Sequence, residues 1–306
     1  VLACACGAEE APEADPAAGP GRWRTARNVG VRGATGVTAL EDHLLLCAGP
    51  ERAVFDVPFD PASVADGTTL EARRVPLVVD ESSLLRGGEP FAAQGYRLGD
   101  LWPHAVDFQG IAAQPPGFVV VADRVYRVAY AGRLQQTPDG DWRALVVDRV
   151  FVLPGADRSH SGASDWRDQG PGIAGLAAVL QKPRTEDLYA VERDGTPPGT
   201  FRIHALDRYG LVLGSFRVDP GDGGQASDVG GFLRAERRFL FVRGAGRGVL
   251  HAVRRGRWKS TIRAGRGVPG PIVEGAGPWS GMAEGPGGVV VLVSGGETPY
   301  VAWRAP

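Results

Sequence analysis

Only three cysteines occur in the 306 residues, too few for a disulfide framework. Cys4 and Cys6 belong to a tract that composition sets apart from the rest, and Cys47, inside the apolar run Leu44 to Ala48, reads as a buried thiol. Lysine is almost missing: Lys182 and Lys259 stand alone, so nearly all the positive charge is arginine, a usage expected of a GC-rich bacterial genome. Neither sign of charge is in excess. The formal net charge of -1 gives no electrostatic basis for binding nucleic acid. The one basic stretch, Arg254 to Arg266, has a single aromatic, Trp258, and reads as a solvated outer strand. No apolar run reaches the length needed to cross a bilayer. Long helices are also excluded, because 45 glycines and 24 prolines leave little uninterrupted sequence for them.

Several chemistries lack their motifs. His43, His104, His160, His204 and His251 show no paired zinc spacing, and no GxSxG elbow supports a serine nucleophile. The clusters Gly221 to Gly224 and Gly244 to Gly248 lack the strand–glycine–helix setting of a phosphate loop, and read as turns.

What the chain does contain is a repeat. Five segments open on Gly, an apolar residue and usually Ala: Gly36-Val37-Thr38-Ala39, Gly110-Ile111-Ala112, Gly175-Leu176-Ala177, Gly231-Phe232-Leu233 and Gly281-Met282-Ala283. After each comes an apolar β-type run, from Leu44, Phe118, Asp187, Phe239 and Val289, and then a third run from Ala53, Val125, Phe201, Val249 and Tyr300. Continuous apolar runs suit strands covered on both faces, and the alternating third runs suit strands exposed on one side. Four units offer a fourth strand, such as Ala72 to Val79 or Leu211 to Val218; the last unit does not.

The missing strand has a counterpart near the start. Gly21 to Arg27 matches Gly256 to Arg263, read as the fourth strand of the preceding unit, apart from one extra residue. Laying this first strand on the last unit closes the array and removes its open edge. The expected fold is therefore an all-β propeller of five blades, or six if one lies between Asp60 and Asp107, closed by its N-terminal strand. Residues 21–306 form this single domain.

Residues 1–20 read differently. Val1-Leu2-Ala3 before Cys4 resembles the end of a bacterial lipobox, with Cys4 as lipid acceptor, while Ala3-Cys4-Ala5 also fits ordinary signal cleavage. The Ala, Glu and Pro tract that follows is a flexible linker too poor in apolar residues to fold alone. The expected location is the bacterial cell envelope, lipid-anchored or secreted. The only membrane contact is then through the lipid, and the protein is a monomer.

In such a ring the entry to each first strand and the exit from each second strand share one face. That face collects Trp102, His104, Asp107, Gln109, Asp228 and Trp279 on entry, and Asp123, Arg124, Glu192, Arg193, Asp194 and Arg243 on exit. Loops from several blades converge there on one concavity, the place to expect a site.

Val106-Asp107-Phe108-Gln109-Gly110-Ile111-Ala112, with Phe118 to Asp123 after it, resembles the blade signature of the phytase-like, or esterase-like, propellers and their SdiA-regulated and strictosidine-synthase-like relatives. Those families carry an acid immediately before Gly-Ile/Leu-Ala. Here the positions before the repeat glycines are Thr35, Gln109, Ala174, Gly230 and Ser280, so a role that needs that acid is absent there. Two functions follow. One is a non-catalytic binding or scaffold protein of the envelope, whose partner is a small molecule or another envelope protein. Its contacts are Trp102, His104, Gln109, Arg124, Arg193, Arg243 and Trp279, because aromatic and arginine side chains carry much of the energy of concave sites. The other is a hydrolase of phosphoric or carboxylic esters, in which Asp107, Asp123, Glu192, Asp194 and Asp228 hold Ca²⁺ through oxygen. Acids in turns beside arginines, as in Asp123-Arg124 and Glu192-Arg193-Asp194, also occur simply as turn formers and ion-pair partners.

Overall fold

The computed structural model describes residues 22–49, 51, 53–79, 85–86, 89–90, 107–123, 128–138, 141–152, 173–181, 185–193, 201–207, 209–219, 233–236, 239–243, 249–254, 261–263, 268–269, 271–277 and 279–304. Among these residues the only helical element is the turn Pro286–Gly288, and no helix is long and apolar enough to cross a membrane. Everything else regular is β-strand.

The strands begin with β1 (Arg24–Val29), β2 (Ala34–Leu40), β3 (His43–Ala48), β4 (Ala53–Pro58), β5 (Thr68–Glu71), β6 (Arg73–Val75), β7 (Leu77–Val79), β8 (Leu85–Arg86) and β9 (Glu89–Pro90). Next come β10 (Phe108–Gln114), β11 (Phe118–Asp123), β12 (Val128–Gln136), β13 (Trp142–Val152), β14 (Ile173–Gln181), β15 (Thr185–Arg193), β16 (Phe201–Leu206) and β17 (Val212–Asp219). The last are β18 (Leu233–Glu236), β19 (Phe239–Arg243), β20 (Val249–Arg254), β21 (Thr261–Arg263), β22 (Val268–Pro269), β23 (Trp279–Glu284), β24 (Val290–Ser294) and β25 (Tyr300–Arg304).

They form five sheets, each built on an antiparallel meander of one sequence unit. In order these are β2-β3-β4-β6; β10-β11-β12-β13 extended by β8 and β9; β14-β15-β16-β17-β21; β18-β19-β20-β22; and β23-β24-β25-β1-β5. β1 runs antiparallel to β25, with Arg24 opposite Trp303 and Arg27 opposite Tyr300. The first strands of the units lie side by side: β2 touches β10 and β23, β10 touches β14, and β18 touches both β14 and β23.

The core lies between the sheets, and side-chain alternation sorts residues between its layers. In β3, Leu45 and Cys47 pack towards the second sheet with Val119, Val121 and Tyr130, while Leu44 and Leu46 pack towards the last with Val291, Val293 and Trp303. In β11, Val119 and Val121 face back to the first sheet, and Val120 and Ala122 face forward to Leu176 and Leu188. A continuous apolar run is what such a doubly covered strand requires.

Three details differ from the sequence reading. Where side chains are described, the third strands are not exposed on one side: Ala53, Val54, Phe55, Asp56 and Val57 of β4 are all buried, because a neighbouring sheet covers each face. Ala72 to Val79 is not one strand, since β6 pairs with β4 whereas β7 runs parallel to β13 in the second sheet. Pro76 separates them; its carbonyl accepts the Leu145 amide at 2.8 Å, and its missing N–H is a natural break in a ladder. Lastly, of Gly256 to Arg263 only β21 is a described strand, and it lies parallel to β17 of the third sheet; the place beside β20 is taken by β22. An outer strand leaves a row of peptide groups open, and a short parallel segment covers them.

Candidate ligand site at the first-strand entrance

The repeat glycines and the residues before them build the floor of this end. In four units the pairing of first and second strands shifts register just before the repeat glycine, between Ala34 and Gly36, Phe108 and Gly110, Ile173 and Gly175, and Trp279 and Gly281. A β-bulge of this kind re-aims one side chain, here that of Thr35, Gln109 or Ser280. Thr35 Oγ1 lies 3.1 Å from Cys47 O of its own sheet and also reaches Phe108 O of the next. Ser280 repeats the arrangement: Oγ lies 3.3 Å from Val293 O and reaches Ala34 O of the first sheet. Both hydroxyls thus join two sheets at equivalent carbonyls.

At Gln109 the bulge serves a carboxylate. Gln109 Nε2 donates to Asp107 Oδ1 at 2.9 Å, and the backbone N–H of Asp107 donates to Asp123 Oδ1 at 3.4 Å. Tyr130 OH donates to Asp123 Oδ2 at 3.4 Å, and Phe108 packs edge-on against the Tyr130 ring. Asp107 and Gln109 are half-buried, and Asp123 is fully buried. Asp107 also lies directly over Gly49: a Cβ there would come within 2.0 Å of Oδ1. Beneath them burial pushes the Cys47 thiol up to about 12; the contact with Thr35 opposes this, and the Asp107 charge adds to it. A thiol so placed stays protonated and unreactive.

Of the other expected contacts, Trp279 starts β23 but is buried beside Met282, Leu292 and Ala302, and its Nε1 donates to Pro271 O at 3.0 Å. Glu192 and Arg193 pair through their backbones at the end of β15, Arg193 opposite Phe201, and Arg243 ends β19 opposite Leu250. Trp102, His104, Arg124, Asp194, Asp228 and Cys4 lie outside the described residues. Among the described residues no group of three or more His, Cys, Asp or Glu converges as a metal site. Asp107, Gln109 and Asp123 are therefore the expected residues that the structure brings together.

The sequence reading did not single out Tyr130 or the two hydroxyl bridges. Thr35 and Ser280 were visible as the non-acidic residues before their glycines; their partners, on other units, were not. His204 is buried, with Nδ1 2.7 Å from Ser215 Oγ on the neighbouring strand.

The arrangement offers a half-exposed carboxylate and amide backed by a buried carboxylate and a phenol. Such a set accepts hydrogen bonds from hydroxyl or ammonium donors at fixed positions. No family model matches the chain, and no curated protein does. Solved structures similar to it include a glutaminyl cyclase from Myxococcus xanthus, 10% identical, covering 92% of this chain and 97% of that one at a TM-score of 0.43. A PQQ-bound aldose sugar dehydrogenase from Streptomyces coelicolor is 11% identical over 93% of this chain and 99% of that one, at 0.47. Virginiamycin B lyase from Staphylococcus aureus is 10% identical over 90% and 68%, at 0.36. These neighbours are β-propeller proteins; the chain itself is all-β, built of several antiparallel sheets.

Proposed function

We propose that the chain is a closed five-bladed β-propeller of the bacterial cell envelope, lipid-anchored through Cys4 or secreted, that binds a small polar molecule or an envelope protein at the first-strand entrance without transforming it. Closure is supported by the cycle of first-strand contacts, β2 to β10, β14, β18, β23 and back to β2, and by the pairing of β1 with β25. Five blades are favoured over six because β5 to β9, the described strands between Asp60 and Asp107, all join edges of sheets built on other units or on the first.

The observation that carries the binding reading is the state of Asp123. Its carboxylate is wholly buried and accepts hydrogen bonds from Asp107 N–H and Tyr130 OH, the environment of a structural acid. Asp107 and Gln109 then form the accessible recognition edge. The test is ligand-observed NMR of the full chain against small sugars, amino acids and carboxylates, alongside turnover assays on aryl phosphates and aryl esters with and without calcium. Bound fragments that are lost in Asp107→Asn and Gln109→Ala, with no turnover, are the expected result. Calcium-dependent hydrolysis that falls in Asp107→Asn would overturn the reading in favour of an ester hydrolase.

A further inference from the structure

The end of the sheets opposite this entrance holds a separate cleft. It has a volume of about 740 Å³ and is lined by Pro61, Ala62, Ala65, Val289 and Trp303, with Arg22, Arg24 and Asp66 at its rim. Val289 immediately precedes β24, Trp303 lies near the end of β25, and Arg24 begins β1 opposite Trp303. All three positions lie where second strands start and third strands finish. Its size falls within the range of small-molecule pockets.

Two independent features describe an occupant. The first is charge. Asp66 is engaged by the protein, accepting from Thr25 N–H at 2.8 Å and lying 3.3 Å from Thr25 Oγ1, with Arg22 at 3.9 Å. The Thr25 amide holds its carboxyl below the usual range. Arg24 makes no ion pair among the described residues, so the rim carries net positive charge. The second is an apolar wall: the Trp303 indole, edge-packed on Phe59, lines the cleft together with Pro61, Ala62, Ala65 and Val289.

We infer that this cleft binds a free amphipathic anion, its carboxylate held at Arg22 and Arg24 and its hydrocarbon part laid along Pro61, Ala65, Val289 and the Trp303 indole. The arginine fork suits a carboxylate, and the walls suit an acyl or aryl chain. The site is independent of the first-strand entrance.

The probe is decanoate, titrated calorimetrically into the full chain, with decanol as its uncharged counterpart. Decanoate binds at least about tenfold more tightly than decanol, and Arg22→Ala/Arg24→Ala removes about tenfold of that affinity, the scale of one charge-assisted contact. Ala65→Trp, which fills the cleft from an exposed position, abolishes binding without lowering the melting temperature. Asp107→Asn leaves decanoate affinity unchanged. Equal affinity for decanoate and decanol, or an unaltered double arginine variant, overturns the proposal. Binding that emerges only after removal of residues 1–20 overturns it too, because the chain's own acidic tract is then the occupant.

Discussion

A Cβ added to Gly110 would stand 2.7 Å from Leu176 N and 2.9 Å from Gly175 C, and one added to Gly281 would stand 2.8 Å from Val37 N and 2.9 Å from Gly36 C. The first residue of the repeat motif is therefore fixed by the backbone of the adjacent unit, not by its own dihedral angles. At Gly36 the nearest obstacle is the Cys47 sulfur at 2.9 Å, with backbone at 3.1 Å. Backbone cannot give way as a side chain can. Gly110→Ala should accordingly cost about 2–4 kcal/mol and Gly36→Ala less, the order checked by urea denaturation; equal small losses would mean that the units do not touch at these points. The glycines themselves were plain in the sequence. The reason for them was not, because it lies in contacts between residues of different units, far apart in the chain, for which a single sequence holds no pattern. The same holds at the candidate site: Asp107, Gln109 and Asp123 were found from strand-end position, whereas Tyr130 reads as one more aromatic in a β-run.

Among the elements, second strands were the most legible, since four or five consecutive apolar residues have few other places in an all-β chain. Third strands were misjudged because period-two alternation normally separates core from solvent, and here it separates one interface from another. The added edge strands were illegible. β5, β7 and β21 have four, three and three residues, too short for any period to register, and each is parallel to its neighbour. β5 and β21 are related: each falls between the third and fourth strands of its own unit and covers the outer strand of the unit before, β1 and β17 respectively. Leu70 pins β5 by burying its side chain with Ala26, Phe59 and Trp303. Leu70→Ala should lower stability by about 2–3 kcal/mol. It should also promote association through the uncovered edge of β1, seen as concentration-dependent light scattering below the unfolding transition; a destabilised variant that stays monodisperse would show that β5 does not guard that edge.

At the scale of the whole molecule, the pairing of β1 with β25 ties the two most distant described strands into one sheet. Trp23 adds to it, packing against the cluster of Trp279, Met282 and Leu292, with the Arg304 guanidinium 5.3 Å from its ring centre. In the proposed ring this strand joins the start of the chain to its last unit, so its loss opens the structure. Removing residues 1–29 should lower the melting temperature by at least about 10 °C, given that each kcal/mol moves a chain of this size by about 2–4 °C, and should broaden the calorimetric transition. An unchanged, sharp transition would show that β1 is ornamental. The strand was legible from Gly21 to Arg27, although the segment it was matched to, Gly256 to Arg263, has a different place in the structure.

The two-sided packing of β3 imposes a kind of reading frame on the protein. Because Leu44 and Leu46 address one neighbour while Leu45 and Cys47 address the other, inserting one residue within the strand would exchange the surfaces shown to both at once. Natural variation in length should thus collect in the connections between strands, where binding specificity can be rewritten without disturbing the frame.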